Sequence, residues 1–280
     1  MNILVTGANG FIGSNIIKSL SNNTRFKFFN GNRNTINLYS IDNIKQYLKE
    51  NKIDTIIHCA IEGGSRLKKD DANNFYNNIL IFENLYSCRN LINKFINTAS
   101  GAEFDRNLDI NLKKEEEIFQ NVPRDYYGLS KNIISQKTAK TGRFYNLRIF
   151  ACFDENELDT RFIKSSIIKS LKSESIIIHE DKVMDFFYLK DLITVVEHAL
   201  LFDLSHKDIN LSYKTKYKLS EIARKIIKQN NSKSEIIIQN KNGLNYNGDF
   251  NKLYTLPIHL QGFETGLQNT IINIKTRFQE

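Results

Sequence analysis

A chain of 280 residues, 41% hydrophobic and 25% charged, is long enough for one large core or for a core with a smaller lobe attached. No stretch approaches the ~18 apolar residues that a membrane span needs. The formal charge of +8 comes from lysines such as Lys45, Lys49, Lys113 and Lys114, interleaved with acids rather than gathered into the basic stripe of a nucleic-acid binder.

Strand and helix patterns alternate from the start. Ile3-Leu4-Val5-Thr6 runs at once into Gly7, which predicts a first strand and not a secretory leader. Phe11 to Leu20 has helical spacing. Phe26-Lys27-Phe28-Phe29 is the second strand, and Ile41 to Lys49 is a helix entered through Ser40 as its cap. Asp54 to Ala60 is a continuous apolar strand of the kind buried on both faces of a parallel sheet. A long helix over Ala72–Cys88, a strand Phe95–Thr98, a helix carrying Tyr127 and Lys131 to about Thr138, and a strand Tyr145–Phe150 follow. The pattern is that of an α/β, Rossmann-type doubly wound parallel sheet.

Beyond Cys152 the rhythm weakens. Helices are expected over Phe162–Leu171, Leu192–Phe202 and Leu219–Lys228, with apolar runs at Ser175–His179 and Phe186–Leu189. Residues 1–152 are read as the dinucleotide-binding core. Residues 153–280 are read as the remaining sheet strands and a small C-terminal substrate lobe, interleaved with that core. Cys59, Cys88 and Cys152 are an odd number at no metal-ligand spacing, and the five histidines form no cluster. The cysteines read as reduced thiols of a cytoplasmic protein, and no metal is expected.

Two short segments carry chemistry. Gly7-Ala8-Asn9-Gly10-Phe11-Ile12-Gly13 is a strand–turn–helix junction whose glycines let backbone N–H groups approach a pyrophosphate at a helix N-terminus. The second strand runs into Asn30-Gly31-Asn32-Arg33 with no acid to hold a free adenosine ribose. Arg33 suits a 2′-phosphate instead, which favours NADP(H) while leaving NAD(H) possible. Tyr127 and Lys131, at i and i+4, put a phenol and an ammonium on one helix face, a pairing suited to proton transfer. Tyr126 lacks such a partner and reads as packing or substrate-wall material.

The glycine turn, Ser100 at a strand end, and Tyr127 with Lys131, in that order, resemble the extended short-chain dehydrogenase/reductase family of nucleotide-sugar epimerases, dehydratases and 4-keto reductases. The resemblance reaches from residue 1 to about residue 273 through Arg148, Asp191, Gly248-Asp249, Gly262-Phe263 and Gly266-Leu267. It implies a triad in which Tyr127 exchanges the proton, Ser100 positions the carbonyl, and Lys131 lowers the phenol and binds ribose. It also implies cofactor contacts from Gly7, Asn9, Gly10, Phe11, Ile12, Gly13, Asn37, Leu38, Cys59, Ala60 and Asn78. A nucleotide-diphosphate sugar is the implied substrate. A homodimer is implied too, through a four-helix bundle of the helices carrying Ile79, Phe82, Leu85, Ile133 and Ile134.

Dehydratases of this family carry Thr-Asp-Glu where this chain has Ser100-Gly101-Ala102, with Glu103 one position late. Ala60-Ile61-Glu62-Gly63-Gly64 and Asn37-Leu38 are similar to the branch holding GDP-L-fucose synthase and dTDP-4-dehydrorhamnose reductase. That likeness implies NADPH-dependent reduction of a 4-keto-6-deoxysugar for polysaccharide synthesis, with a 4-epimerase as the alternative. Glu62, Gly63, Ala102, Arg161 and Lys182 are the expected substrate contacts. Met184 stands where many members carry a phosphate-binding arginine, and Asp154-Glu155 where most have Gly-Pro.

Overall fold

The computed structural model describes residues 1–64 and 69–279. In chain order the elements are β1 (Asn2–Thr6), α1 (Phe11–Leu20), β2 (Lys27–Gly31), α2 (Ile41–Glu50), β3 (Thr55–His58), α3 (Ala72–Ser87), β4 (Lys94–Ser100), β5 (Ile110–Lys113), α4 (Tyr126–Ala139) and β6 (Phe144–Ile149). They continue with β7 (Cys152–Phe153), α5 (Phe162–Leu171), β8 (Ile176–Glu180), β9 (Phe187–Tyr188), α6 (Leu189–Leu201), β10 (Asp208–Leu211), α7 (Leu219–Asn230), β11 (Ile236–Asn240), β12 (Tyr246–Gly248) and α8 (Gly262–Gln279).

Six strands form a wholly parallel sheet in the order β10-β6-β4-β3-β1-β2. The period-two alternation of side chains sorts each strand between two cores. Ile3, Val5, Ile57, Ile96 and Leu147 join Ile16 and Leu20 of α1 and Leu192, Val195 and Val196 of α6 on one face. Leu4, Ile56, Phe95 and Phe144 meet Ile44 and Leu48 of α2, Ile81, Phe82 and Leu85 of α3 and Ile134 of α4 on the other. This is the doubly wound architecture that the strand–helix alternation predicts.

The chain reverses direction across the sheet at β1, with β2 alone on one side and β3 on the other. A crevice therefore opens between the C-terminal ends of β1 and β3, the position where open α/β sheets bind ligands. The path from β2 to α2 is short, and Asn37-Leu38 lies in it.

The C-terminal part departs from the sequence reading. Neither Ser175–His179 nor Phe186–Leu189 joins the main sheet: β8 pairs with β11, and β9 with β7, as separate two-stranded units. The sixth strand is β10, Asp-Ile-Asn-Leu, which no apolar run announces. Its Asn210 is buried by long-range bonds: its N–H donates to Glu115 Oε1 at 2.9 Å and its side-chain amide to the Lys113 carbonyl at 2.8 Å. α8 starts where Asp191 accepts the backbone N–H groups of Gln261 and Gly262, at 2.7 and 2.9 Å.

The apolar residues expected to face a partner subunit are mostly spent within the chain. Phe82, Leu85 and Ile134 are fully buried against their own sheet, and of that set only Ile133 is exposed.

Candidate active site

β1 ends in a turn that only glycine can make. Gly7 has φ +67°, and a Cβ there would lie 2.7 Å from the Ala60 nitrogen. At Gly13 a Cβ would lie 2.5 Å from the Gly7 carbonyl oxygen, so the missing side chain lets α1 sit against the turn. Gly10 is the extended N-cap of α1, and its N–H donates to the Gly7 carbonyl at 2.9 Å. No acid stands in the first turn of α1. Its unpaired N–H groups and dipole therefore favour an anion at the mouth of the crevice. Asn9 is exposed there, with Phe11 and Ile12 partly buried behind it.

The end of β3 forms the opposite wall. His58 Nδ1 and Thr6 Oγ1 are 2.8 Å apart, and Thr6 Oγ1 accepts the Ala60 N–H at 3.3 Å. Burial, with Lys131 nearby, presses His58 down to about 3, so it is neutral. Burial pushes the Cys59 thiol up to about 12, which makes it a small wall and not a nucleophile.

The loop after β3 links two ends of the site. Asn78 clamps its backbone, accepting the Glu62 N–H at 2.7 Å and donating to the Glu62 carbonyl at 2.9 Å and to Ser130 Oγ at 3.3 Å. The sequence grouped Asn78 with the cofactor contacts; its amide here positions the loop. Glu62, expected among the substrate contacts, turns its carboxylate to Arg33 and Tyr39, each 3.4 Å from Oε1. Gly63 (φ +90°) and Gly64 (φ +71°) then carry the chain past the Tyr127 ring, which a Cβ on Gly64 would meet at 2.8 Å. Beyond Arg33, Leu38 is buried with its carbonyl bound by Asn84 at 3.0 Å, while Asn37 stays exposed.

Ser100 ends β4 and opens a 3₁₀ turn over Gly101–Phe104. Its Oγ accepts the Ala102 N–H at 3.2 Å. Ala102 itself is buried beneath α4, where a Cβ on Gly128 would lie 2.6 Å from its carbonyl oxygen. Asp125 caps α4 by accepting the Gly128 N–H at 2.8 Å, and this fixes the first turn from which Tyr127 projects toward Ser100. Burial raises the Tyr127 phenol; the nearby Ser100 hydroxyl and the charges of Arg106 and Arg161 oppose that rise. Lys131 Nζ donates to the Thr98 carbonyl at 2.6 Å, and burial presses it down to about 8 against the pull of Glu103. Sequence spacing predicts that Lys131 tunes Tyr127; the charges of Arg106 and Arg161 also lower the phenol.

Arg106 had no signal in the sequence. Its guanidinium forks onto Asp125, with Nη2 at 2.7 Å and Nε at 3.4 Å, and lies 5.9 Å from the Tyr127 ring centre. Tyr246, on β12, is a second unforeseen neighbour. Burial raises its phenol, with Arg106 and the nearby Ser100 opposing, and its ring meets Phe150 edge-on at 5.3 Å. Arg161 is the exposed N-cap of α5, whereas Lys182, two residues beyond β8, pairs with Glu180 at 3.4 Å. Tyr126, 44% exposed, meets the Phe75 ring at a tilt, 6.4 Å between centroids.

Beneath Ser100 lies a buried polar network. Glu103 Oε1 accepts the Ser100 N–H and the Ser135 hydroxyl, both at 2.8 Å, and Oε2 accepts Arg148 Nε at 2.8 Å. Arg148 also donates to Asn210 and Asp208, each at 3.1 Å. Every oxygen of Glu103 is thereby committed.

Residues 3–212 match the model of the NAD dependent epimerase/dehydratase family. No curated protein matches the chain in sequence. Among solved structures, a GDP-mannoheptose C4 reductase from Campylobacter jejuni with NADP bound superposes with a TM-score of 0.84 at 16% identity, covering 100% of this chain and 98% of that one. A UDP-glucose 4-epimerase from Thermotoga maritima gives 0.81 at 17%, with 100% of both chains covered. A GDP-L-fucose synthetase from Naegleria fowleri gives 0.80 at 17%, covering 99% and 94%. At these identities the likeness is one of fold.

Proposed function

The chain belongs to the NAD dependent epimerase/dehydratase family, and within it we propose that this protein reduces the C4 ketone of a nucleotide-diphospho-4-keto-6-deoxysugar with NADPH. The observation that carries this reading is the bracing of the Ser100 turn. Its one carboxylate, Glu103, is held by the Ser100 N–H, the Ser135 hydroxyl and Arg148, whereas an elimination needs a free acid–base pair at that turn. The Tyr127 phenol, raised by burial, is the proton donor for a developing alkoxide.

The cradle fits a dinucleotide. Gly7, Gly10 and Gly13 leave backbone space where a Cβ would intrude, and the N-terminus of α1 faces the same space. Gly7, Asn9, Gly10, Phe11 and Ile12 would hold the pyrophosphate, Arg33 the adenosine 2′-phosphate, Ala60 and Cys59 the wall, and Lys131 the nicotinamide ribose. A reduced nicotinamide bound there supplies the hydride. Ser100 donates a hydrogen bond to the ketone oxygen. Tyr127 transfers its phenolic proton to that oxygen as the charge develops, and Arg106 and Arg161 stabilise the phenolate left behind. Tyr246 would wall the substrate side of Ser100, and Arg161 would meet the sugar diphosphate. The product is an alcohol, and the phenol regains its proton from solvent.

The assembly proposed is a homodimer across the outer face of α3 and α4, where Tyr76 (62% exposed), Tyr126 and Ile133 remain uncovered. Light scattering at micromolar concentration tests it; a monomer mass overturns it. Titration with NADPH and NADH, followed by turnover on 4-keto sugars, tests the reaction.

A further inference from the structure

The adenosine end of the crevice holds an acid that the second strand does not supply. Glu62 comes from the loop after β3, and α3 fixes it in place: its Oε2 accepts Asn77 Nδ2 at 2.9 Å and Asn74 Nδ2 at 3.4 Å. Among the described residues its Oε1 has only long contacts, with Arg33 Nη2 and the Tyr39 hydroxyl, both at 3.4 Å. The Arg33 side chain is 88% exposed and that of Glu62 25%. The carboxylate is thus the anchored partner and the guanidinium the movable one. Both stand at the C-terminal ends of β2 and β3, which flank the glycine turn of β1.

Two ligands would use this pair differently. A 2′-phosphate needs Arg33 and is repelled by a carboxylate already paired with it. A free ribose diol offers two O–H donors, and Glu62 Oε1 has capacity to accept them. We infer that Glu62 is a specificity-determining residue, which competes with the 2′-phosphate for Arg33, accepts the unphosphorylated ribose, and so narrows the preference between NADPH and NADH.

This rests on the dinucleotide reading of the cradle and extends it to an acid outside the second strand. Asn74 and Asn77 can donate equally to an amide oxygen, so Glu62→Gln keeps the anchoring while removing the charge. Arg33→Met removes the other partner from an exposed position and leaves the core untouched.

The test is the dissociation constant of NADPH and of NADH, by quenching of protein fluorescence or by calorimetry, for the native chain and both variants. No sugar is needed. Glu62→Gln should tighten NADPH and weaken NADH, each by about three- to tenfold, the range expected of an exposed charge contact. Arg33→Met should weaken NADPH alone. An NADPH/NADH ratio in Glu62→Gln within about twofold of the native one, at unchanged melting temperature, overturns the role of Glu62 while leaving the dinucleotide site intact. Failure of the native chain to bind either dinucleotide overturns the site reading and this inference with it.

Discussion

Glu103 Oε1 accepts the backbone N–H of Ser100 at 2.8 Å, so the carboxylate that follows the serine in sequence lies behind it in space. Its other oxygen is held by Arg148, which is fully buried. Sequence placed Glu103 one position late for a dehydratase acid. The structure supplies the physical counterpart, because this carboxylate braces the turn that presents Ser100, with both of its oxygens already accepting hydrogen bonds.

Tyr127→Phe removes the proton donor and little else, since the ring keeps its packing against Gly64. Turnover of a 4-keto sugar should fall by the general-acid factor of roughly 10²–10⁴, with NADPH affinity nearly unchanged. Stopped-flow NADPH oxidation paired with NADPH titration measures both. Equal losses in the two would assign Tyr127 to binding.

Arg106 lowers the Tyr127 phenol against the larger effect of burial. In the Arg106→Met variant the phenol should hold its proton to higher pH, which moves the alkaline limb of the kcat/KM profile upward, with turnover down by about tenfold. The exposed pair with Asp125 is worth ~0–1 kcal/mol, so the melting temperature should hardly change. An alkaline limb that stays in place removes Arg106 from the chemistry.

Glu103→Gln breaks a fully buried ion pair and leaves the Arg148 charge poorly compensated. The expected loss is ~3–5 kcal/mol of stability, read by urea or thermal unfolding. A loss below ~1 kcal/mol would mean that Asp208 alone satisfies the guanidinium.

The glycine turn and the Tyr127–Lys131 pair were legible because each lies within one turn of chain, where spacing translates directly into geometry. The first five sheet strands were legible as apolar runs. Arg106, Tyr246 and β10 were not, because each reaches its place through contacts made far along the chain. Tyr246 comes to the Ser100 turn from β12, and Asp208 and Asn210 of β10 are tied to β6 by ladder pairing and by Arg148. The apolar positions on α3 and α4 were legible only as shared faces. Spacing shows which residues share a helix face, and Phe82, Leu85 and Ile134 share the face turned toward their own sheet.

Glu157 gives a stability signal independent of catalysis. Burial raises its carboxyl from 4.5 to about 8, opposed by the Lys164 backbone N–H and by Arg161. The folded chain therefore keeps a proton that the unfolded chain has lost, and stability falls as pH rises from about 4.5 to about 8. Glu157→Gln should melt higher relative to the native chain at pH 8.5 than at pH 5. A difference that is the same at both pH values contradicts the raised carboxyl.

The central claim is the direction of the chemistry, and one measurement bears on it most directly. The native chain is mixed with NADPH and a 4-keto-6-deoxysugar carried on GDP, dTDP, UDP or CDP in turn, and absorbance is followed at 340 nm while the sugars are resolved by chromatography. The account predicts loss of NADPH with one nucleotide, matched mole for mole by the reduced sugar, and no such loss in Tyr127→Phe. Interconversion of two hydroxyl epimers with no net change in absorbance, and no keto sugar consumed, would contradict it and make the protein an epimerase.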